Sequence, residues 1–306
     1  MSAQPFIVCS AARTAALLDF PALVDALRQA AGDYAQARIR SPERLVVPLP
    51  HEGVMLSMPA TAEDVAIHKL VNVQPGNRAL GLPTIHGQVS AFDARTGRPL
   101  FQLDGPEVTG RRTAAVSMLA IDTLLPAPPR HIMLIGTGTQ AVYHLQAIHA
   151  LYPQAKVQVR GRTSQAAVAF CQQHQALHPY LQAAAVDDPG DRAEVIITLT
   201  TSTVAVYNEQ AVAGKLLIGV GAFKPQMAEI GALTLAGSDI YVDDPAGARH
   251  EAGDLIQAEI DWARTRSLAT ALQEERAYDR PVVFKSVGTA AWDLAACRVA
   301  RRGLGL

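Results

Sequence analysis

The sequence predicts an α/β protein of two domains, one with a parallel sheet and a smaller α+β domain with a mainly antiparallel sheet. Three observations support this. Strand-like runs follow one another closely in the first third, strands and helices alternate after Gly105, and a glycine-rich turn opens the alternating part. The 306 residues are 49% hydrophobic, enough for two modest cores. We assign residues 1–115 and 289–306 to the smaller domain and 116–288 to the other.

The first third of the chain has the pattern of an antiparallel meander with one face covered. A short strand, Phe6–Cys9, precedes a helix that Asp19 and Pro21 open, and the apolar positions of this helix follow the 3.6-residue period. Further strand-like runs are separated by Pro/Gly turns, and they are Arg44–Pro48, Val54–Pro59, Ala66–Val73, Thr84–Phe92 and Leu100–Leu103.

The pattern changes after Gly105. Thr109 is predicted to cap a helix that runs to Leu124 and ends before a proline-rich break. The alternation that follows is typical of βαβ units, and its predicted strands are His131–Ile135, Lys156–Arg160, Glu194–Thr198, Lys215–Gly219, Ile240–Asp243 and Val282–Phe284. A last helix, Ala290–Arg302, is expected to pack back on the first domain.

Composition and charge exclude several classes of protein. The net charge of −1 comes without an asymmetry that would favour a nucleic-acid partner or a membrane surface. No stretch approaches the roughly 18 apolar residues that span a bilayer. The three cysteines form no disulfide framework, and neither they nor the nine histidines have metal-ligand spacing. We therefore expect no metal and a cytoplasmic location.

One segment has the spacing of a dinucleotide site. The apolar strand Ile132–Ile135 runs into Gly136-Thr137-Gly138-Thr139-Gln140-Ala141 and then into a helix. Gly136 permits the tight turn, Gly138 lets the backbone approach a pyrophosphate, and Ala141 lets helix and strand pack closely. Glycine spacing alone also fits an ordinary turn, but the flanking strand and helix favour a Rossmann-type domain. The expected cofactor contacts are Gly136, Gly138, Thr139, Gln140 and Ala141.

The second strand of that domain bears on the choice of cofactor. An NAD site usually has an acid about 20 residues downstream, which binds the ribose hydroxyls, but no acid occurs from Ala155 to Ala169. Arg160, Arg162 and Thr163 instead suit a 2′-phosphate through charge-assisted hydrogen bonds. NADPH is therefore the expected cofactor and NADH the alternative, while a solvated basic loop is the other interpretation of these cations.

Three cations stand out before the nucleotide domain. Lys69 lies in the strand pattern Val65–Val71, where an uncompensated ammonium would be costly, so it needs a partner. Arg44 begins a strand, and Arg112 lies in the first turns of the helix that leads to the nucleotide domain. Each of them alone also suits a surface or structural role. Together with a nucleotide domain, they predict a small substrate that bears a carboxylate.

Several motifs, taken in order, resemble the signature of the ornithine cyclodeaminase/μ-crystallin family, and the resemblance covers nearly the whole chain. They are Thr96–Pro99, Asp104-Gly105, Thr109–Ser117, Gly136–Ala141, Gly221-Ala222 with Pro225 and Glu229, Val242-Asp243, Glu251 with Gly253-Asp254, and Phe284–Ser286 with Gly288 and Asp293. The family implies a two-domain subunit, a homodimer formed through sheets of the non-nucleotide domain, and substrates that pass through an imine beside a carboxylate.

The resemblance also implies roles for individual residues. Arg112 would clamp the substrate carboxylate with help from Arg44. Lys69 would hydrogen-bond the carboxylate or imine region and help to deliver a proton, while the nicotinamide supplies the hydride. Arg162 and Thr163 stand where NADPH-using relatives have an Asn-Arg-Thr sequence.

One departure from the family bears on the reaction. True ornithine cyclodeaminases have an Asp where this chain has Phe223, and a phenyl ring can neither accept a proton nor pair with an ammonium. We therefore expect reduction of a cyclic ketimine, either Δ1-pyrroline-2-carboxylate to L-proline or the six-membered piperideine analogue to pipecolate. The alternatives are an ornithine cyclodeaminase or amino-acid dehydrogenase and, in another class, a non-enzymatic NADPH- or small-ligand-binding protein like the μ-crystallin side of the family.

The remaining candidates are assigned by their position. Thr200, Thr201 and Gly221 follow strands of the parallel sheet, at the edge where such sheets bind ligands, and are expected at the cofactor. The expected substrate pocket contains Phe223, His86, Ser286, Gly288 and Asp293, although Asp293 suits an exposed surface equally well. Ser117 has no His or Asp partner that the sequence reveals, so no hydrolase triad is expected.

Overall fold

The computed structural model describes residues 6–275 and 278–306. Contacts between them divide the chain into two units. Unit 1 contains the described residues up to Thr113 together with Thr289–Leu306, and unit 2 is Ala114–Gly288. The boundary between the two units therefore falls inside the helix that contains Arg112.

Both units combine helices and strands. The helices are α1 (Ala11–Leu17), α2 (Phe20–Ala35), α3 (Gly105–Leu124), α4 (Thr139–Leu151), α5 (Ser164–His174), α6 (Ala232–Ala236), α7 (Pro245–Glu251), α8 (Gly253–Gln257), α9 (Leu268–Ala271) and α10 (Ala290–Gly303). The strands are β1 (Ile7–Val8), β2 (Leu45–Leu49), β3 (Gly53–Thr61), β4 (Val65–Val73), β5 (Ile85–Asp93), β6 (Pro99–Asp104), β7 (His131–Ile135), β8 (Lys156–Arg160), β9 (Leu181–Ala183), β10 (Val195–Thr198), β11 (Leu216–Gly219), β12 (Asp239–Val242), β13 (Arg266–Ser267) and β14 (Val282–Lys285). Short 3-10 helices lie at Pro75–Leu80, Gln175–Leu177 and Trp262–Arg264.

Unit 1 is built on a six-stranded sheet in the order β1-β6-β5-β4-β3-β2. Only β1 and β6 run parallel, and every other neighbouring pair is antiparallel. Helix α10 packs against α2 and against strands β3 and β4. The sheet therefore has one face toward α10, and its other face is at least partly open.

The alternation of side chains along β4 places Lys69 on the face that α10 covers. Every second residue from Val65 to Val71 is buried, and the residues between them, such as His68, are partly exposed. Met58 on β3 and Val89 on β5 lie directly opposite Lys69 in the sheet, and both are buried. An ammonium group is thus held among apolar side chains, which requires a compensating charge.

Helix α2 begins at the residue that the sequence predicts. The Asp19 carboxylate accepts a hydrogen bond from the N–H of Ala22 at 3.1 Å, and Pro21 lies in the first turn, where its missing N–H is not needed. Leu23 and Leu27 are fully buried on one face of the helix. Complete burial of such a side chain contributes about 1.5–3 kcal/mol.

Unit 2 is built on an eight-stranded parallel sheet in the order β13-β12-β14-β11-β10-β7-β8-β9. Every residue of β10, β11 and β14 is buried, which explains why these strands are continuous apolar runs rather than alternating ones. The strand order reverses at β7, because β8 lies on one side of it and β10 on the other. Sheets of this kind bind ligands at the carboxyl ends of the strands beside such a reversal.

The predicted fold class is confirmed: a parallel sheet forms unit 2, and a mainly antiparallel one forms unit 1. Two strands of the parallel sheet were not predicted, β9 with three residues and β13 with two. Segments so short have no periodic pattern, and their pairing depends on neighbours distant in sequence.

The predicted start of α3 was wrong. The helix begins at Gly105, one turn before Thr109, and the Asp104 carboxylate accepts a hydrogen bond from the N–H of Glu107 at 2.8 Å. Thr109 is inside the helix and donates its hydroxyl to the carbonyl oxygen of Gly105 at 2.8 Å. Pro106 is compatible with this start because proline is tolerated in the first turn.

Within 6–275 and 278–306, no helix is both long enough and apolar enough to cross a bilayer. Helix α3 is the longest of these at 20 residues, and it contains charged side chains, among them Glu107, Arg111 and Arg112.

Asp104→Ala tests the capping of α3. The variant loses the acceptor for the Glu107 N–H, and we expect the free energy of unfolding to fall by about 1 kcal/mol. Asp104→Asn keeps a capping oxygen and should stay close to the wild type. Thr109→Ala should cost less than Asp104→Ala, and urea unfolding followed by circular dichroism compares the three variants. A larger loss for Thr109→Ala would contradict this assignment.

Candidate functional site

The glycine-rich turn joins β7 to α4 in unit 2. Gly136 has a φ of +128°, which residues with side chains rarely adopt, and a Cβ there would lie 2.7 Å from the carbonyl oxygen of Leu199. Gly138 is the N-cap of α4, and a Cβ built on it would meet no atom within 4 Å. No side chain caps the first N–H groups of α4. Open space and free donors therefore meet at this helix end, as a pyrophosphate requires.

The first turn of α4 contains the other residues of the motif. Thr139 is exposed, whereas Ala141 is fully buried. The side-chain amide oxygen of Gln140 is buried and has no hydrogen-bond partner among the described residues. A buried acceptor without a donor is costly, and a ligand hydroxyl or amide would satisfy it.

Ser117 has a partner that the sequence does not reveal. The Nδ1–H of His144 donates to the backbone oxygen of Gln140 at 2.8 Å, so its Nε2 accepts a hydrogen bond from the Ser117 hydroxyl at 2.9 Å. Burial lowers the pKa of His144 to about 4, which keeps the ring neutral. Both side chains are completely buried. A nucleophile needs access to substrate, so this pair connects α3 to the start of α4 and forms no hydrolase site.

The guanidinium of Arg160, predicted to contact a 2′-phosphate, donates hydrogen bonds to two backbone oxygens. It donates to the backbone oxygen of Asp188 at 2.7 Å and also to that of Val206, and the residue is only 7% exposed. Burial lowers the pKa of Arg160, with the Asp188 charge opposing this effect. Arg160 thus connects the loops that contain Asp188 and Val206. Arg162 is exposed, and exposed Thr163 caps α5 by accepting from the N–H of Ala166 at 3.1 Å.

A buried carboxylate holds the loops that follow β10 and β11. Glu229 accepts hydrogen bonds from the N–H of Thr200 at 2.5 Å and its hydroxyl at 2.9 Å, and from the N–H groups of Gly221 at 2.6 Å and Ala222 at 3.0 Å. A Cβ on Gly221 would lie 1.9 Å from the carbonyl oxygen of Thr200, so only glycine fits. Thr201 is exposed next to this arrangement. Two predicted cofactor residues, Thr200 and Gly221, are therefore held together by Glu229.

A second acid, Asp254, binds the backbone at Glu229 and contacts the ammonium of Lys285. Asp254 accepts hydrogen bonds from the backbone N–H groups of Glu229 and Ile230, and its other oxygen lies 2.5 Å from the Nζ of Lys285. Burial raises the pKa of Glu229, and the Lys285 charge opposes this effect. Glu229, Asp254 and Lys285 are all almost completely buried. The sequence contains these residues in family-like motifs, but their contacts join segments that are far apart in the chain.

Asp243 organises the loop after β14. It accepts hydrogen bonds from the Ser286 hydroxyl at 2.7 Å and from the N–H groups of Val287 and Gly288, both at 2.9 Å. Ser286 and Gly288, predicted to line a substrate pocket, are therefore fixed by a carboxylate of their own unit. Phe223 is 37% exposed, and the Lys224 ammonium lies 5.9 Å from the centre of its ring.

The three predicted residues Lys69, Arg112 and Asp293 meet in unit 1. The Nζ of Lys69 lies 3.0 and 3.2 Å from the two carboxylate oxygens of Asp293, and the Nε of Arg112 lies 3.3 Å from the first of them. Lys69 is 2% exposed, Arg112 7% and Asp293 not at all. Asp293 is the partner that a buried Lys69 requires, and it is not a surface acid. We call these three residues the cationic cluster.

The cationic cluster has a net positive charge in a desolvated place. Burial lowers the pKa of Lys69 to about 8. The Asp293 carboxylate opposes this shift, whereas the charges of Arg112 and Arg44 add to it. Burial also raises the pKa of the Cys297 thiol, one turn after Asp293 on α10. Lys69 can therefore exchange a proton near neutral pH, whereas Cys297 stays a thiol.

His86, predicted to line the substrate pocket, does not join the cluster. It pairs with Asn72 in the register of β4 and β5, and both positions lie on the sheet face opposite Lys69. The side chain is exposed. His68 lies on that same face, and its Nε2 is 2.8 Å from the Ser57 hydroxyl.

In the part of the chain that the structure describes, no three His, Cys, Asp or Glu side chains are gathered to hold a metal ion. The ionisable groups of the site are instead a cationic cluster in unit 1 and loop-organising acids in unit 2. The cationic cluster suits a small anion. The loops that the acids organise suit a ligand bound at the carboxyl edge of the parallel sheet.

A parallel sheet whose order reverses at β7, with a glycine-rich turn directly after that strand, defines unit 2 as a fold of the Rossmann class. Unit 1 adds the buried cationic cluster on an antiparallel sheet. The chain belongs to the ornithine cyclodeaminase/mu-crystallin family, whose model matches residues 6–303.

Two curated relatives match almost the whole chain. The Δ(1)-pyrroline-2-carboxylate/Δ(1)-piperideine-2-carboxylate reductase of Azospirillum brasilense is 57% identical over 301 residues, which cover 98% of this chain and 97% of that protein. Δ(1)-pyrroline-2-carboxylate reductase 2 of Burkholderia ambifaria is 56% identical, with 96% of this chain and 94% of the relative covered.

A solved structure has the same fold. The Δ(1)-pyrroline-2-carboxylate reductase of Thermococcus litoralis, determined in complex with NADH and L-proline, superposes with a TM-score of 0.88. The two sequences are 22% identical, and the match covers 98% of this chain and 99% of that one.

Proposed function

We propose that this protein reduces a cyclic ketimine carboxylate with a nicotinamide cofactor, converting Δ1-pyrroline-2-carboxylate to L-proline or the six-membered analogue to pipecolate. The observation that supports it most is the buried cationic cluster, in a chain 57% identical to a reductase named for both rings. A cluster with one unbalanced positive charge is complementary to a small carboxylate. The fold provides the dinucleotide-binding sheet edge that the reaction needs.

The residues at the carboxyl edge of unit 2 fit the cofactor. Gly138 leaves open space in front of α4, and the free N–H groups of that helix suit the pyrophosphate. Gln140 offers a buried acceptor without a donor. Thr200 and Gly221, held by Glu229, would lie along the nicotinamide side. Bound there, the nicotinamide supplies the hydride that adds to the imine carbon.

The side chains of unit 1 then have separate tasks. Arg112, assisted by Arg44, binds the substrate carboxylate through charge-assisted hydrogen bonds. When the hydride adds, the imine π electrons move to the ring nitrogen, which must take up one proton. We assign this proton to the Lys69 ammonium, whose pKa of about 8 matches a proton donor at neutral pH. Deamination would need an acid acting on an amine, and Phe223 cannot provide it.

The preferred cofactor in this proposal is NADPH. No acid occurs after β8 between Lys156 and Ala169 to bind an unmodified ribose. Exposed Arg162 and Thr163 offer a guanidinium and a hydroxyl for a 2′-phosphate. Arg162 is a better candidate than Arg160, because the Arg160 guanidinium already binds two backbone oxygens.

We expect NADPH oxidation with Δ1-pyrroline-2-carboxylate, followed by absorbance, to fall strongly in Lys69→Ala and Arg112→Ala. Each variant loses a hydrogen bond to a charged group, so kcat/KM should drop by about ten- to a hundredfold. Arg111→Ala is the matched control, because neighbouring Arg111 binds Glu107 and the Leu18 carbonyl instead. Absence of turnover with both five- and six-membered substrates, despite measurable NADPH binding, would refute the proposed reaction.

Arg162→Ala tests the cofactor preference. Loss of the guanidinium should raise the KM for NADPH by about tenfold or more and leave that for NADH nearly unchanged, because NADH has no 2′-phosphate. Arg192→Ala removes another exposed arginine of unit 2 and should change neither value. Wild-type protein that uses NADH as well as NADPH would rule out the preference and leave the reductase proposal intact.

A homodimer formed through unit 1 completes the proposal. The sheet face opposite the cationic cluster presents Leu45, Val47, Met55 and Leu70, and Leu45 is 62% exposed. Exposed apolar side chains on this face, interspersed with polar ones such as Ser57, suit a second copy of the chain.

Light scattering should therefore give about twice the chain mass of 32.6 kDa. Leu70→Asp should shift the protein toward the monomer, because it places a charge on that face. Val204→Asp, at an exposed position of unit 2, should leave the mass unchanged. A monomeric wild type would contradict the dimer.

A further inference from the structure

Asp293 touches both cations that we assign to the substrate. It projects from the first turn of α10, is completely buried, and receives the Lys69 ammonium on both oxygens and the Arg112 side chain on one of them. Every other side chain in the binding proposal for unit 1 is a cation. Asp293 is thus the acid that both cations share, with its oxygens directed at Lys69 and Arg112.

The charge balance follows from these contacts. Two cations facing each other in a desolvated space repel strongly, and a carboxylate between them removes most of that repulsion. One carboxylate against the two cations that it touches leaves a single unbalanced positive charge, and the charge of Arg44 adds to it. A substrate carboxylate compensates the excess charge of the pair.

We propose that Asp293 is a positioning residue, which holds Lys69 and Arg112 together and sets their combined charge to match one substrate carboxylate. The inference builds on the proposed reductase function and replaces the expectation that Asp293 itself contacts substrate. Its role is exerted through Lys69, since the carboxylate stabilises the ammonium form that donates the proton.

The groups that face Lys69 come from three segments. Asp293 and the thiol of Cys297 belong to α10, Arg112 belongs to α3, and Arg44 precedes β2. Arg112 and Arg44 disfavour the ammonium, and Asp293 alone among these charged groups favours it. Removing the Asp293 charge should therefore make Lys69 lose its proton at lower pH.

The test is the pH profile of kcat/KM for Asp293→Asn with Δ1-pyrroline-2-carboxylate. The alkaline limb of this profile is the fall of kcat/KM at high pH. The substrate titrates identically with every variant, so a shift of this limb between variants comes from a group of the enzyme. We expect this limb to move by about one pH unit toward acid. The KM at pH 7 should stay equal or fall, because the site has gained net positive charge, while kcat falls.

Three further variants separate positioning from simple structural support. Asp293→Glu keeps the charge and should restore the wild-type limb. Lys69→Arg keeps a cation that does not give up its proton, so kcat should fall strongly and the titration that we assign to residue 69 should disappear from the profile, even if Asp293→Asn cannot be purified as folded protein. Cys297→Ala alters the same buried face of α10 without changing charge, and its limb should match the wild type.

Calorimetric binding of pyrrole-2-carboxylate, a planar carboxylate that cannot be reduced, gives a readout besides turnover. Asp293→Asn should bind it as tightly as the wild type or more tightly. An unchanged alkaline limb, or weaker binding of the probe by folded Asp293→Asn, would overturn the inference. Wild-type protein that binds the probe but reduces neither ketimine would instead refute the reductase proposal, and the binding comparison would still decide the role of Asp293.

Discussion

The desolvation of Lys69 is the constraint on which much of unit 1 depends. An ammonium on the inner face of a sheet must find an opposite charge or lose its proton. The structure supplies that charge from α10, which packs against β3 and β4 at this position. Helix α10 therefore supplies the negative charge that compensates a buried cation of the antiparallel sheet in unit 1. A buried pair of this kind adds little net stability, but losing one partner is costly.

Unit 2 uses buried acids for a different purpose. Glu229, Asp254 and Asp243 accept hydrogen bonds from backbone N–H groups of loops at the carboxyl ends of the parallel strands. Loop N–H groups lack the partners that helices and sheets provide, and a fixed carboxylate can satisfy two or more of them at once. These hydrogen bonds restrain the loops. A sheet edge organised in this way loses little conformational entropy when a cofactor binds.

The sequence predicts well what depends on local pattern and poorly what depends on distant partners. The alternating burial of β4, the cap of α2 and the turn at Gly136 follow from periodicity, capping chemistry and glycine geometry. The start of α3 was misplaced because Asp104 ends a strand and begins a helix at once.

Among the site residues, Lys69 was recognised because a buried charge breaks a strand pattern, although its partner lies 224 positions away. The sequence could not predict that Arg160 binds the carbonyl oxygens of Asp188 and Val206, because these lie far from it in the chain. For a related reason it could not predict the face on which His86 lies, since that depends on its register with Asn72. The Ser117–His144 pair could have been suspected only from a histidine within an apolar helix.

Phe223 shows how one fold can serve more than one reaction in this family. The backbone that leads to it is fixed by Glu229, which binds the N–H groups of Gly221 and Ala222. None of these bonds involves the side chain at position 223, so an acid or a phenyl ring can stand there without changing the loop. The side chain at this position can therefore vary without disturbing the loop. In the proposed reduction of a preformed imine, Lys69 of unit 1 would supply the one proton that is needed besides the hydride, and no acid at position 223 would be required.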